Sequence, residues 1–151
     1  MTWTDWAKIV GPIVAAGAAV YGFILKRKES RTQAATKFRE SVLNELQGLY
    51  PLPVEWPETL GIDHRLKKSF PRLQAVVAAY RPFVKNKTAF DFAWLQYRNA
   101  YQRPQDDQCY HHYMDFTSTK STLDGPVTEA TNGKANFKQN VDSLLSFAPG
   151  A

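Results

Sequence analysis

Apolar residues form one uninterrupted run near the N-terminus, residues 9–25 (IVGPIVAAGAAVYGFIL), and elsewhere recur at helical spacing between polar positions. A helix over this uncharged run covers about 26 Å, slightly less than the roughly 30 Å hydrocarbon core of a bilayer. Trp3, Trp6 and Tyr21 stand near its two ends, where aromatic side chains favour the headgroup level. The pattern predicts a single transmembrane helix over 9–25, preceded by a short external segment, 1–8.

Basic residues set the predicted orientation of this helix. They are concentrated on its C-terminal side (Lys26, Arg27, Lys28, Arg31, Lys37 and Arg39). Only Lys8 precedes the run, so the positive-inside rule places the N-terminus outside and the remaining chain in the cytoplasm. In a prokaryote the membrane would be the bacterial inner membrane. A basic cluster after the run disfavours a cleavable signal peptide. A buried core helix is the remaining alternative, because the run is short and rich in alanine and glycine.

Small residues recur along the run at spacings of three and four, which place them on one side of the predicted helix. They are Gly11, Ala15, Ala18, Ala19 and Gly22. Small side chains three or four positions apart let two backbones approach closely in lipid. The pattern predicts a helix contact within the membrane, either with a second copy of this chain or with another membrane protein.

Residues 26–50 are predicted to continue the helix as a stalk. Strong helix formers fill this segment, and Gly48 with Pro51 supplies the stop signal. Apolar residues recur within it at spacings of three and four (Ala35, Phe38, Val42, Leu46 and Leu49). This apolar face predicts that the stalk packs on the downstream domain.

Residues 51–151 are predicted to form a small, mainly α-helical domain of about four helices. A proline-rich connection over 51–57 leads to a short helix over 58–69. Ser69 and Pro71 are typical of a cap and a first helical turn, so a separate helix is predicted to begin there. Its buried face would hold Leu73, Val76, Val77, Tyr80 and Phe83 or Val84.

The remaining elements of the domain follow from periodicity and turn residues. A helix over 88–101 is predicted with Thr88 as its N-cap and Asp91 at the capping-box position. Aromatic residues at spacings of four and three form one stripe on it (Phe90, Trp94, Tyr97 and Tyr101). A polar loop or short hairpin is predicted near 117–133. A closing helix over 136–147 should dock on the aromatic helix.

The distribution of basic residues indicates a candidate binding surface in the domain. The chain has a net charge of +5 and a pI near 9.4. Between Asp63 and Asp91 stand seven basic residues and no acid (Arg65, Lys67, Lys68, Arg72, Arg81, Lys85 and Lys87). Behind a membrane anchor such a block could contact anionic lipid headgroups. Equally, it could be a solvated face of two helices.

The residues that could carry chemistry lie together in one segment. They are Asp106, Asp107, Cys109, His111, His112 and Asp115. No second pair of cysteine or histidine follows at zinc-ligand spacing, and a lone Cys109 excludes an intrachain disulfide. Nothing upstream resembles an oxyanion device for a cysteine nucleophile. The sequence therefore predicts neither a metal nor another cofactor, and it favours packing of Tyr110 and Tyr113 here.

The combined prediction is a single-pass membrane protein whose cytoplasmic helical domain self-associates or recruits a partner. It is not predicted to be an enzyme, and no small-molecule substrate is inferred. Two alternatives stay open: a membrane-anchored enzyme using Cys109, His111 and His112, and a membrane-tethered nucleic-acid-binding domain, which the burial expected of the aromatic stripe disfavours. The identity of the partner, the oligomeric number and the biological process do not follow from the sequence.

Overall fold

The computed structural model describes residues 3–51, 55–57, 59–103, 108–115, 117–122 and 125–149. Within these, side chains are described at 24–51, 55–57, 61–103, 108–115, 117, 128 and 130–149. The chain divides into two compact units, Met1–Ala34 and Ala35–Ala151. The described part of the first unit is helical throughout. The second unit is a small and mainly helical domain, as predicted.

The first helix, α1, runs from Trp3 to Glu45 without a break. The predicted continuation of the helix beyond residue 25 is therefore confirmed. The side chains of the small residues proposed as a helix contact lie outside the described residues. Over the residues whose side chains the structure describes, which in α1 begin at residue 24, none of the helices combines the length and apolar character that a membrane crossing requires.

The C-terminal part of α1 belongs to the core of the second unit. Phe38 and Val42 are almost completely buried, as are Leu46 and Leu49 just beyond the helix, so the predicted apolar face is confirmed. The ring of Phe38 stacks on Tyr80 at a centroid distance of 4.3 Å. Residues 35–50, assigned to a stalk from the sequence, thus lie in the same compact unit as the residues that follow.

Gly48 reverses the chain after α1, as its stop signal predicts. Its φ of 82° lies in the left-handed region, which glycine adopts without the penalty that a Cβ imposes. A Cβ here would also stand 2.9 Å from Nη2 of Arg65. That guanidinium donates to the Gln47 carbonyl at 2.7 Å, so it holds the turn against the next helix.

The second helix, α2, is continuous from Thr59 to Tyr80 and contains Pro71 within it. The prediction of two helices meeting at Ser69 and Pro71 is wrong, because Ser69 does not cap a new helix: its hydroxyl donates to the Leu66 carbonyl at 3.0 Å. A proline in the interior of a helix lowers the stability of that helix by about 3 kcal/mol. Burial of one apolar face across the whole helix offsets this cost. Its buried members are Ile62, Leu66, Phe70, Leu73, Val77 and Tyr80.

The third helix, α3, runs from Lys87 to Arg98 after a short 3₁₀ turn at Arg81–Phe83. The prediction of Thr88 as N-cap is wrong, because the side chain of Asn86 accepts from the Ala89 N–H at 3.0 Å. Asp91 makes no capping box; both of its carboxylate oxygens accept from Arg81 at 2.7 Å.

The aromatic stripe of α3 is confirmed as core over most of its length. Phe90 and Tyr97 are fully buried, and Trp94 is half-buried. Tyr101 is the exception, since it follows the end of the helix and is 56% exposed. The helix stops earlier than predicted because Asn99 takes extended backbone angles, with φ −146° and ψ 110°.

The polar segment near 117–133 forms the hairpin that was one of its two predicted alternatives. Strands β1 (Thr117–Thr122) and β2 (Gly125–Ala130) are antiparallel, with Thr117 opposite Ala130. The last helix, α4, runs from Gly133 to Leu145. It begins three residues before the predicted start, because the side chain of Asn132 caps it by accepting from the Ala135 N–H at 2.9 Å.

The predicted docking of α4 on α3 is confirmed. Phe137, Val141, Leu144 and Leu145 are buried on one face of α4. The ring centroid of Phe137 lies 6.2 Å from that of Tyr97 on α3. The two helices therefore share the aromatic core of the second unit.

Candidate functional site

The C-terminal end of α3 has backbone carbonyls that the helix itself cannot satisfy, and the segment 108–113 supplies donors to them. The backbone N–H of Cys109 donates to the Arg98 carbonyl at 2.9 Å. The hydroxyl of Tyr113 donates to the Tyr97 carbonyl at 2.8 Å. The segment that the sequence singles out for its chemistry is thus bound to the end of a helix.

His112 completes this cap. Its Nε2 lies 2.9 Å from the Gln96 carbonyl, and since a carbonyl oxygen only accepts, Nε2 carries the proton. Nδ1 is therefore an acceptor, and it is buried without a hydrogen-bond partner among the described residues. Burial lowers the pKa of His112 to about 4, with a smaller lowering from His111, while the bond to Gln96 opposes both. The ring is consequently neutral near pH 7.

The other candidate catalytic residues do not join His112 in a reactive arrangement. His111 is exposed, and its Nδ1 lies 3.1 Å from the Tyr101 hydroxyl. A carboxylate oxygen of Asp115 accepts from the Gly133 N–H at 2.7 Å, at the start of α4. Asp106 and Asp107 lie outside the described residues.

Among the residues that the structure describes, no group of three or more histidine, cysteine, aspartate or glutamate side chains could hold a metal ion. Cys109 is a free, half-buried cysteine. Its backbone pairs with Asn99 and Ala100 at the end of α3, where the Ala100 N–H donates to its carbonyl at 2.7 Å.

A polar pocket of about 220 Å³ lies beside this cap, between the end of α3 and the first half of α4. Its lining combines six carboxamide side chains with one histidine and one small apolar residue: Gln96, Asn99, Ala100, Gln102, His112, Asn136, Gln139 and Asn140. No charged side chain lines it among the residues that the structure describes. Most small-molecule sites set a few polar groups in apolar walls, so a lining of this composition is unusual.

Two of the pocket carboxamides are held in place by the helix cap. The side-chain Nδ2 of Asn136 donates to the His112 carbonyl at 3.0 Å. Nδ2 of Asn140 donates to the Tyr113 hydroxyl at 3.1 Å. Because both amides use their nitrogen here, their oxygens remain as acceptors with no hydrogen-bond partner among the described residues.

The loop after α3 forms another wall of the pocket. The buried Asn99 side chain accepts from the Tyr101 N–H at 2.9 Å and donates to the Arg103 carbonyl at 3.2 Å. Gln102 has a φ of 53°, in the left-handed region that non-glycine residues seldom adopt. The Asn99 side chain thus holds a strained turn that presents Gln102 to the pocket.

The basic block does not act as one unpaired surface, because several of its members have partners. Lys67 pairs with Asp63 at 2.7 Å, Arg72 with Glu45 at 3.5 Å and Arg81 with Asp91 at 2.7 Å. Hydrogen bonds to Arg81 lower the pKa of Asp91 and raise that of Arg81. Lys68, Lys85 and Lys87 are exposed and have no ion pair with a described residue.

Comparison with protein-family models, with curated proteins and with solved structures gives no match. The interpretation of the pocket therefore depends on its own geometry. The sequence analysis missed this pocket, although a signal was present: Gln96, Asn99 and Gln102 are three positions apart in the sequence. The pocket residues of α4, which are Asn136, Gln139 and Asn140, also lie close together in the sequence. Only the docking of α4 on α3 brings the two sets together.

A comparison of two buried tyrosines, Tyr97 and Tyr113, tests the hydrogen bonds that cap α3. The hydroxyls of Tyr97 and Tyr110 are buried without a described partner, whereas that of Tyr113 donates to Tyr97 and accepts from Asn140. Tyr97→Phe should leave the free energy of unfolding unchanged or raise it by about 1 kcal/mol, because no hydrogen bond is lost. Tyr113→Phe should lower it by about 1–2 kcal/mol, since a helix-end carbonyl loses its donor. Urea unfolding of both variants would measure the difference, and equal effects would contradict the cap.

Proposed function

We propose that this protein is a membrane-anchored binding module, with residues 9–25 in the bilayer and the unit Ala35–Ala151 binding a partner beside it. The observation that carries the proposal is the uncharged apolar run itself, which lies within one unbroken helix that ends in the aromatic core of the second unit. The same helix would thus serve as anchor and as structural element of the domain.

The residues at the end of the run support this proposal. Ile24 and Leu25 are 56% and 48% exposed, although both are large and aliphatic. The exposed basic residues Lys26, Arg27 and Lys28 follow directly. An apolar surface bordered by basic side chains is typical of the boundary between lipid tails and headgroups.

The proposed location is the cell membrane, with the N-terminus outside and the helical unit in the cytoplasm. Cytoplasmic leaflets carry anionic lipids, which attract basic residues by about 1 kcal/mol each near the surface. Within the basic block, Lys68, Lys85 and Lys87 are exposed and have no ion pair with a described residue. We propose these lysines as the part of the basic block that contacts headgroups, and the small residues of the run as a contact between helices.

A binding role is supported further by the contacts of the candidate catalytic residues. A cysteine nucleophile needs a base within hydrogen-bond reach. Nε2 of His112 is bound to the Gln96 carbonyl and Nδ1 is buried, while Nδ1 of His111 contacts the Tyr101 hydroxyl. The backbone of Cys109 and the ring of His112 instead close the end of α3.

A charge placed in the middle of the run tests the anchor. Ala16→Arg should move the protein from the carbonate-resistant membrane fraction to the soluble fraction, because an arginine at the centre of a membrane helix costs about 2.5–3.5 kcal/mol. Ala16→Leu is the matched control and should stay in the membrane. Fractionation of both variants by carbonate extraction measures the effect. Release of the unmodified protein by carbonate would overturn the proposal.

Cross-linking of the detergent-extracted protein tests the contact between helices in the same preparation. A defined oligomer that Ala15→Leu weakens and Ala16→Leu preserves would support self-association through the small residues. An oligomer that is insensitive to both substitutions would assign the contact to another surface.

A further inference from the structure

We infer that the carboxamide-lined pocket between α3 and α4 binds a neutral, hydroxyl-rich ligand the size of one sugar ring. The site does not depend on the membrane anchor, since every lining residue belongs to the unit Ala35–Ala151. Its volume of about 220 Å³ is below the roughly 300–1,000 Å³ typical of sites for drug-sized ligands, which limits the ligand to a small molecule. A single sugar ring with its hydroxyl groups fits in a space of this size.

Among the described residues of the lining none is charged, which favours a neutral ligand. Phosphates and carboxylates are normally bound by arginine, lysine or helix N-termini, and ammonium groups by carboxylates. The described residues of the lining include none of these side chains. His112 adds no charge, because its ring is neutral near pH 7. A charged ligand would therefore lose its hydration without a counter-charge, whereas a neutral ligand would not.

The distribution of polar groups in the lining selects among neutral ligands. Each carboxamide offers both donors and an acceptor, as each hydroxyl of a sugar does. The side chains of Gln96, Gln102 and Gln139 have no hydrogen-bond partner among the described residues, and the Asn136 and Asn140 oxygens add fixed acceptors. A nucleobase has two apolar faces that require aromatic or apolar walls. Among the described lining residues only Ala100 and the ring of His112 could serve that purpose, and the other six are carboxamides, which favours a ligand that is polar on all sides.

The scaffold of the pocket is preorganised for such a ligand. Asn136 and Asn140 are already oriented by the cap of α3, so their side chains lose little freedom on binding. Gln102 is held at the pocket by the strained turn that Asn99 stabilises. Gln96 and Gln139, whose side chains make no described hydrogen bond, are the residues that a ligand would order.

Saturation-transfer nuclear magnetic resonance on the full-length protein tests this inference. The probes are the methyl glycosides of glucose, galactose and mannose, with glucose 6-phosphate and adenosine as comparisons. A zwitterionic detergent is required, because glycoside detergents would occupy the site. At least one methyl glycoside should bind with a dissociation constant on the order of 1 mM. Glucose 6-phosphate should not bind more tightly than that glycoside.

Substitutions of glutamines inside and outside the pocket then test whether the glycoside binds there. Gln96→Ala and Gln139→Ala should each weaken the glycoside about tenfold, because each removes hydrogen bonds to the ligand and none that the fold uses. The matched control is Gln74→Ala, an exposed glutamine on α2 outside the pocket, which should leave affinity unchanged. Absence of glycoside binding below about 50 mM, equal weakening by Gln74→Ala, or tighter binding of adenosine would each overturn the inference.

Discussion

Gly133→Ala should destabilise the second unit by about 3 kcal/mol or more, because an added Cβ there meets backbone atoms of the segment around residue 113. A Cβ at Gly133 would stand 2.1 Å from the Tyr113 carbonyl oxygen and 2.4 Å from its carbon. These are backbone atoms of the segment that caps α3, so they cannot move aside as a flexible side chain could. The clash would also disturb the hydrogen bond from the Gly133 N–H to Asp115.

The matched control for this substitution is Gly61→Ala. Gly61 lies within α2, and a Cβ there would meet the nearest atom, Cβ of Pro57, at 3.4 Å, an ordinary contact. Alanine in a helix interior is favoured over glycine by about 0.5–1 kcal/mol, so Gly61→Ala should be neutral or stabilising. Urea unfolding followed by near-ultraviolet circular dichroism would compare the two. A Gly133→Ala protein as stable as the original would contradict the close approach of α4 to residue 113.

The stability of the second unit should fall as the pH decreases from about 6.5 to about 4, because His112 is buried as a neutral ring. Its pKa is lowered from 6.5 to about 4 in the folded state. Between these values the unfolded chain binds the additional proton, so stability is complete above pH 6.5 and is lost as the pH falls. The difference corresponds to at most about 3 kcal/mol, and to about 2 kcal/mol after screening at a partly exposed ring.

His112→Gln isolates this contribution. A glutamine side chain can still donate to the Gln96 carbonyl, but it does not titrate, so the loss of stability between pH 6.5 and 4 should disappear. Asp91 and Asp142, whose pKa values are lowered below 3.8, contribute to acid unfolding only below that window. Urea midpoints measured at half-unit pH steps would show the difference. An unchanged pH dependence in His112→Gln would assign the effect to another group.

Periodicity predicted the helices well where one apolar face was long and unambiguous. The face of α1 around Phe38 and Val42 and the face of α4 around Phe137 and Val141 are both buried as expected. Local signals at helix ends were less informative. Ser69 and Pro71 resemble the start of a helix, and Thr88 resembles an N-cap, but all three residues lie inside helices. Packing of the apolar face in α2, and the competing Asn86 cap in α3, outweighed these local preferences.

The candidate site was also predicted only in part from the sequence. Sequence reasoning favoured packing over catalysis for the segment around His112, and it identified Tyr110 and Tyr113 as buried. It did not indicate that this segment closes the end of α3. A hydrogen bond from residue 112 to residue 96 depends on how the intervening loop folds back, and no periodicity encodes that path.

By itself the sequence determined the mainly helical class of this protein, its apolar N-terminal run with basic residues behind it, and the faces that become core. These follow from local composition and from repeats of three and four residues. The tertiary structure alone decided that α2 continues through Pro71, that His112 is neutral and bound to Gln96, and that carboxamides from α3 and α4 line one pocket. Each of these depends on contacts between residues distant in the chain, whose energies outweigh local preference.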